Sequence, residues 1–200
     1  MHISEGILSP PLLLAGGVVS LVGVAWGLRR LEPQRIPETA LLTAAFFLAS
    51  LVHLPLGPSS VHLLLNGLVG LILGPVAFPS FLVALFLQAV LFQFGGLTTL
   101  GVNTMNMALP ALLVYLLFRP FLRRFPRFLV LGAAVAGAVA IFLTGLLVAL
   151  ELALSGESFV VAAKMVVWAH VPVMLLEGLV TGIIVGFLRK VRPEILFKEV

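Results

Sequence analysis

The sequence predicts an all-α, polytopic integral membrane protein with about seven transmembrane helices, its N-terminus outside and its C-terminus cytoplasmic. Three observations predict it. The 200 residues are 61% hydrophobic and 10% charged, with a mean hydropathy of +1.22, whereas soluble domains hold roughly 25% charged and 45–50% apolar residues. The apolar residues run in long unbroken stretches instead of alternating, which in lipid selects helices over a closed barrel. The basic residues gather at the ends of those stretches, as membrane topology requires.

Each span follows from the roughly 20 apolar residues needed to cross a bilayer core at about 1.5 Å per residue. The first four run near Ile7–Leu28, Thr39–Leu54, Val61–Ala77 and Pro79–Phe94, and three more near Met105–Phe118, Phe128–Leu154 and Pro172–Leu188. Phe159–Ala169 is expected to be an interfacial helix ahead of the last span, because Trp168 and Lys164 favour the headgroup level. The count falls to six if Gly74-Pro75 closes a re-entrant pair. Residues 1–200 together read as one transmembrane domain.

Charge orients the bundle. Eleven of the twelve Lys and Arg fall in three groups: Arg29, Arg30 and Arg35; Arg119, Arg123, Arg124 and Arg127; and Arg189, Lys190, Arg192 and Lys198. With seven spans all three lie on one side, which the positive-inside rule makes the cytoplasmic side of the cell membrane. The net charge of +4 is therefore a topology signal and implies no nucleic-acid partner. The absence of cysteine excludes disulfides and thiolate chemistry. No basic region precedes the first apolar run and no small-residue cleavage pattern follows Ser9-Pro10-Pro11, so the mature protein is expected to begin at Met1.

This topology sends all four histidines to the outer end. His2 is at the terminus, His53 closes the second span, His62 opens the third, and His170 opens the last just before Pro172. Imidazole is the commonest metal ligand at neutral pH, so their convergence suggests a cation site. For His53, beside a loop, simple tolerance of an interfacial histidine is the better reading. His2 can offer its ring and its own backbone nitrogen beside the amine of Met1, closing two chelate rings in one plane. A nitrogen from His62 would complete a square, the geometry of Ni(II) or Cu(II), with Co(II) accommodated. Gln88 and Gln93 line the fourth span, and Gly95–Asn106 is expected to be an outer loop rich in hydroxyls and amides. Glu177 shares a helical face with His170, seven residues earlier. An intramembrane carboxylate is a functional candidate by default, though not here a metal ligand.

Four blocks carry a family resemblance. They are Met1-His2-Ile3-Ser4-Glu5-Gly6-Ile7-Leu8-Ser9-Pro10, Gly57-Pro58-Ser59-Ser60-Val61-His62-Leu63, Gly95-Gly96-Leu97-Thr98-Thr99-Leu100-Gly101-Val102-Asn103, and His170-Val171-Pro172-Val173-Met174 with Glu177-Gly178 and Val191-Arg192-Pro193-Glu194. The chain resembles the CbiM/NikM family, the substrate-binding membrane components of energy-coupling-factor transporters for cobalt and nickel. The resemblance implies seven helices, an outward N-terminus folded into the bundle, and metal ligation by the Met1 amine, the His2 amide and ring, and the His62 ring. Ser60, Asn103, Asn106, His170 and Glu177 are candidates for supporting or gating that set. Ser4 stands where many members carry another residue.

Ni2+ or Co2+ is then the transported substrate, with no organic cofactor. The chain lacks a G-x-x-x-x-G-K-[ST] phosphate loop. The family pattern supplies a transmembrane coupling subunit and two cytoplasmic ATPases from other chains, with a small auxiliary membrane subunit as a further partner. Small residues let helices approach closely in lipid. Gly16/Ser20 and Gly23/Gly27 read as internal packing of the first span, and Ala40/Ala44 with Ala45/Ala49 as a coupling surface on the second. Two other functions compete. An intramembrane metalloenzyme would want an H-E-x-x-H helix or a serine–histidine pair at depth, and neither is present. A copper permease or channel would use Met105 and Met107, which read better as apolar filling. The orientation predicts that a cysteine introduced at Ser155 reacts with an impermeant thiol reagent in intact cells while one at Pro126 does not; the reverse pattern would invert the topology.

Overall fold

The computed structural model describes residues 2–56 and 59–197, without the side chains of 53–61 and 197. The protein is a helical bundle. In chain order it consists of α1 (Pro10–Arg30), α2 (Ile36–Ala49), strands β1 (His53–Leu56) and β2 (Ser59–His62), α3 (Asn66–Leu73), α4 (Ala77–Phe92), α5 (Leu100–Arg124), α6 (Leu129–Ser155), α7 (Val160–Val191) and a terminal turn of helix, α8 (Pro193–Phe197). Each of the seven longer helices overlaps one of the expected segments, but α2 with 14 residues and α3 with 8 fall short of the roughly 20 that a bilayer crossing takes. Among the described residues, five runs are long and apolar enough to cross a membrane: Pro10–Arg30, Asn66–Phe92, Leu100–Arg124, Pro126–Ser155 and Glu157–Val191. Leucines such as Leu14, Leu21, Leu131 and Leu175 stand out from their surface, a pattern suited to lipid and not to water.

Three expectations need correction. The expected third span, Val61–Ala77, is not one continuous helix. It begins in the β1–β2 hairpin, where His53 pairs with His62 in antiparallel register, and only eight residues, Asn66–Leu73, form α3. Two observations show that α3 and α4 run in opposite directions. The rings of His62 and Phe94, at the two ends of this stretch, both stack on His2, while Ile72 accepts a hydrogen bond from Arg35 beyond the far end of α1. The reversal is made at Gly74–Val76, where Gly74 has φ +56° and faces the Tyr115 ring. Glycine adopts that conformation without a Cβ penalty.

The interfacial helix expected over Phe159–Ala169 is instead the start of α7. That helix is continuous for 32 residues, about 48 Å at ~1.5 Å per residue. Pro172 does not begin a helix here but lies inside one. In lipid a break would strand backbone groups that neither water nor headgroups can reach, so continuation wins. His170 accordingly lies well inside α7 and does not open it. Likewise the loop expected over Gly95–Asn106 ends at Thr99, because α5 begins at Leu100. Asn103 and Asn106 occupy its first two turns.

The packing is set by small residues. Gly16, Ser20, Gly23 and Gly27 are the buried stripe of α1, as the sequence suggests. A Cβ at Gly16 would lie 2.8 Å from the Val102 Cα, and the Ser20 hydroxyl donates to the Gly101 carbonyl at 2.5 Å. At the α3–α6 crossing a Cβ on Gly67 would lie 2.6 Å from the Gly137 Cα, and at the α6–α7 crossing one on Gly137 would lie 2.8 Å from the Thr181 Cβ. Small-xxx-small contacts of this kind replace the hydrophobic effect as the adhesive between helices in lipid. The Gln88 amide, fully buried, donates to the Ser50 hydroxyl at 2.7 Å and ties α4 to the end of α2. Met107 is fully buried in the main core, the apolar filling expected of it.

The alanines of α2 do not share one environment. Ala40 and Ala44 are exposed and line an apolar groove of about 460 Å³ that runs between the end of α1, α2 and α4. Ala45 and Ala49 are half-buried, and Ala49 packs on the core. At one end of the bundle Arg119, Leu122, Leu129, Val185 and Leu196 line a common cavity. The ends of α5 and α7 and the start of α6 therefore meet at this arginine-bearing end, and the histidines His2 and His62 lie at the other.

Candidate functional site

The site is built where three irregular stretches meet: the residues before α1, the end of β2, and the α4–α5 connection. Irregular backbone inside a membrane protein must find its hydrogen bonds within the protein, and here it does. The Ile3 amide donates to Asn103 Oδ1 at 2.9 Å, and the Ile3 carbonyl accepts from Asn103 Nδ2 at 3.1 Å and from the Thr99 hydroxyl at 3.0 Å. One asparagine thus pairs with both backbone groups of Ile3, as a neighbouring strand would. Glu5 accepts the Thr98 amide at 3.1 Å. Gly95, at φ +75°, admits no side chain, since a Cβ there would lie 2.8 Å from Asn103 Nδ2 and 3.4 Å from the His2 Cβ.

This clamp delivers His2 to His62. Their rings stack with centroids 5.0 Å apart and planes 26° apart, and Phe94 stacks on the other neighbour, His2, at 6.2 Å. His62 is buried and His2 half-buried. Behind His62 the chain turns sharply. Leu65 has φ +52°, a left-handed conformation that an L-residue with a branched side chain rarely adopts. The turn is held by Glu177 of α7, which is fully buried. Its Oε1 accepts the Leu64 and Leu65 amides, the latter at 3.0 Å, and its Oε2 lies 3.1 Å from the Leu65 nitrogen.

A second polar chain reaches the next residue. Glu151 of α6 accepts from the Asn106 amide at 2.6 Å, the Asn106 carbonyl accepts from the Thr144 hydroxyl at 3.0 Å, and that hydroxyl accepts from the Asn66 amide at 2.8 Å. The start of α3 is therefore pinned from α7 on one side and from α5 and α6 on the other.

Of the residues singled out from the sequence, the structure brings together His2, His62, Asn103 and Glu177, with Asn106 one turn deeper on α5. His170 is buried but engaged elsewhere: its Nδ1 donates to the Val166 carbonyl at 2.6 Å, and its ring lies against Gly145. Met1 lies outside the described residues, as do Gly57 and Pro58 and the side chains of His53 and Ser60. Among the described residues no three His, Asp or Glu side chains converge as a metal site. Thr99, Asn66, Thr144 and Glu151 take part as well, although none of them is among the site residues expected from the sequence. Glu151 carried the same signal as Glu177, a carboxylate inside a span.

A largely helical bundle with long apolar spans, leucines exposed on its surface and a buried polar cluster at one end is an integral membrane protein. The chain belongs to the CbiM family, the cobalt uptake substrate-specific transmembrane region, whose profile matches residues 2–195. It is 44% identical over 202 residues to a Haemophilus influenzae protein named "Putative metal transport protein", covering 98% of this chain and 97% of that one. It is 29% identical over 203 residues to an Archaeoglobus fulgidus protein named "Putative fused nickel transport protein NikMN", covering 98% of this chain and 68% of that one. A crystal structure of a truncated transition metal transporter superposes with a TM-score of 0.83 at 27% identity, over 95% of this chain and 99% of that one.

Asn103→Ala removes both hydrogen bonds that this side chain makes to Ile3; the Ile3 carbonyl keeps the Thr99 hydroxyl, but the buried Ile3 amide is left without its acceptor, at a cost of about 1–3 kcal/mol. Amide hydrogen exchange of the N-terminal peptide should accordingly speed up about 5- to 150-fold while peptides of α6 and α7 are unchanged; an unaltered rate would show that the clamp lies elsewhere.

Proposed function

We propose that this chain captures a divalent transition metal, Co2+ or Ni2+, at the outer face of the cell membrane, as the substrate-binding component of an energy-coupling-factor transporter. The observation that carries the reading is the pairing of His2 with His62 at 5.0 Å. At that separation the two imidazoles are neighbours, and rotation of the rings out of their stack would let one ion sit about 2.0–2.1 Å from a nitrogen of each. The N-terminal backbone, held from Ile3 by Asn103, then supplies the remaining nitrogens: the His2 amide and the Met1 amine. Four nitrogens in a plane suit Ni(II), and Co(II) is accommodated. The nickel and cobalt named for the family and for its relative agree with this chemistry.

Residues 1–200 act in this reading as one transmembrane domain that carries no enzyme activity of its own. ATP hydrolysis is the work of two cytoplasmic ATPases acting through a transmembrane coupling subunit, with a small auxiliary membrane subunit as a further partner. The Archaeoglobus fulgidus relative, described as fused, extends beyond the region matched here, which fits a component that works beside other polypeptides. Ala40 and Ala44, lining the open groove of α2, are the favoured contact for the coupling subunit. Ala45 and Ala49, half-buried, are less available for it.

The test is Ni(II) and Co(II) binding to purified variants, with mass spectrometry confirming the terminus. One residue added before Met1 turns its amine into an amide and moves the chelate out of frame, so high-affinity binding should be lost. His2→Ala and His62→Ala should each abolish it while the fold remains. Full-affinity binding by the extended protein would sink the site.

Protons compete for the same atoms. The reference pKa values are about 7.7–8.0 for the amine and about 6.5 for imidazole, and both groups must be deprotonated to bind. Binding therefore weakens as pH falls through that window, and affinity measured by calorimetry should drop steeply between about pH 8 and pH 6. A flat profile would indicate carboxylate ligands.

A further inference from the structure

Glu177 is a buried carboxylate that joins no cluster of metal-ligating side chains among the described residues, and its geometry explains why it is there. Both of its oxygens face backbone amides, those of Leu64 and Leu65, and it is fully buried. A charge buried in this way is costly unless it is hydrogen-bonded. The amide groups at the start of α3 meet that need, as helix N-termini do for anions generally. The same amides would otherwise be stranded, because they precede the first hydrogen-bonded turn of the helix.

The pairing also holds a conformation that the backbone would not choose. Leu65 sits at φ +52°, and non-glycine residues in that region persist only where their surroundings impose it. That strained turn lies three residues after His62. Its direction sets where β2 ends, and so how the imidazole stands against His2. Asn66, fixed through Thr144, prevents the far side of the turn from relaxing.

We infer that Glu177 is a positioning residue for metal capture: through the Leu64 and Leu65 amides its carboxylate locks the turn behind His62, so that the imidazole faces His2 before the ion arrives. This rests on the metal-capture reading above. The carboxylate does not touch the ion; it removes the cost of ordering the fourth ligand at the moment of binding.

The experiment uses the full-length purified protein as wild type, Glu177→Gln, Glu177→Ala and His62→Ala, titrated with Ni(II) and Cu(II). Two quantities are read: the affinity, and the ligand-field absorption of the bound ion, which differs between four nitrogen ligands and three with water. Glu177→Ala is expected to weaken binding about 10- to 100-fold, as loss of a supporting partner does in other metal sites, and to shift its spectrum toward that of His62→Ala. Glu177→Gln keeps the shape and one acceptor oxygen and should fall between wild type and Glu177→Ala on both measures. If Glu177→Ala fails to fold, the Gln variant carries the comparison. Folded Glu177 variants that keep both the wild-type affinity and the wild-type spectrum would overturn the inference; weaker binding with the wild-type spectrum supports it, since the cost of ordering His62 then falls on binding. A wild-type protein that binds neither ion would instead overturn the metal-capture reading, and this inference with it.

Discussion

Lipid neither donates nor accepts hydrogen bonds, and every departure from helix in this bundle has to be met from inside it. Three of these departures build the site: the residues before α1, the β1–β2 hairpin with the turn after it, and the α4–α5 connection. Their amides and carbonyls are answered by Asn103, Thr99, Glu5 and Glu177. The candidate site is where these answers converge. Polar side chains that would be costly alone at membrane depth become affordable because each closes an opening in the backbone. The histidines are carried along by backbone held in this way.

Close helix contact makes those bonds possible. Asn103 reaches Ile3 because α5 presses on α1 at Gly16 and Gly101, and Glu177 reaches Leu65 because α6 and α7 meet through Gly137, Gly178 and Gly182. Adding a Cβ at such crossings would push the helices apart by more than the tolerance of a hydrogen bond. Stability and site geometry are therefore set by the same small residues, which distinguishes this protein from soluble folds where a large apolar core can absorb change.

Much of this was legible in the sequence. Continuous apolar runs give the helices, and the placing of His2 and His62 at one end agrees with their ring contact. The buried glycine stripe of α1 follows from four-residue spacing alone. What could not be read has physical reasons. Lys164 and Trp168 look interfacial by composition, yet α7 runs through them because helix continuation satisfies the backbone. Hydroxyls and amides over Gly95–Asn106 look like a loop, although Thr99 and Asn103 spend theirs on Ile3 instead of on water. The partners of Glu177 are amides, which every residue but proline carries, so no side-chain pattern announces them. The alanines of α2 show the limit of spacing as a guide: two pairs with the same period fall on differently exposed faces.

The Asn103–Ile3 clamp also bears on how the molecule is made. Ile3 and Asn103 are separated by 100 positions, and Leu64 and Glu177 by 113. During synthesis the first residues emerge long before the helix that holds them, and the turn behind His62 waits for α7. Local contacts form early and distant ones late. Assembly thus runs against the direction of translation: the beginning of the chain is among the last parts to settle. A molecule truncated before α7 would carry His2 and His62 without the Glu177 carboxylate that holds the turn between β2 and α3.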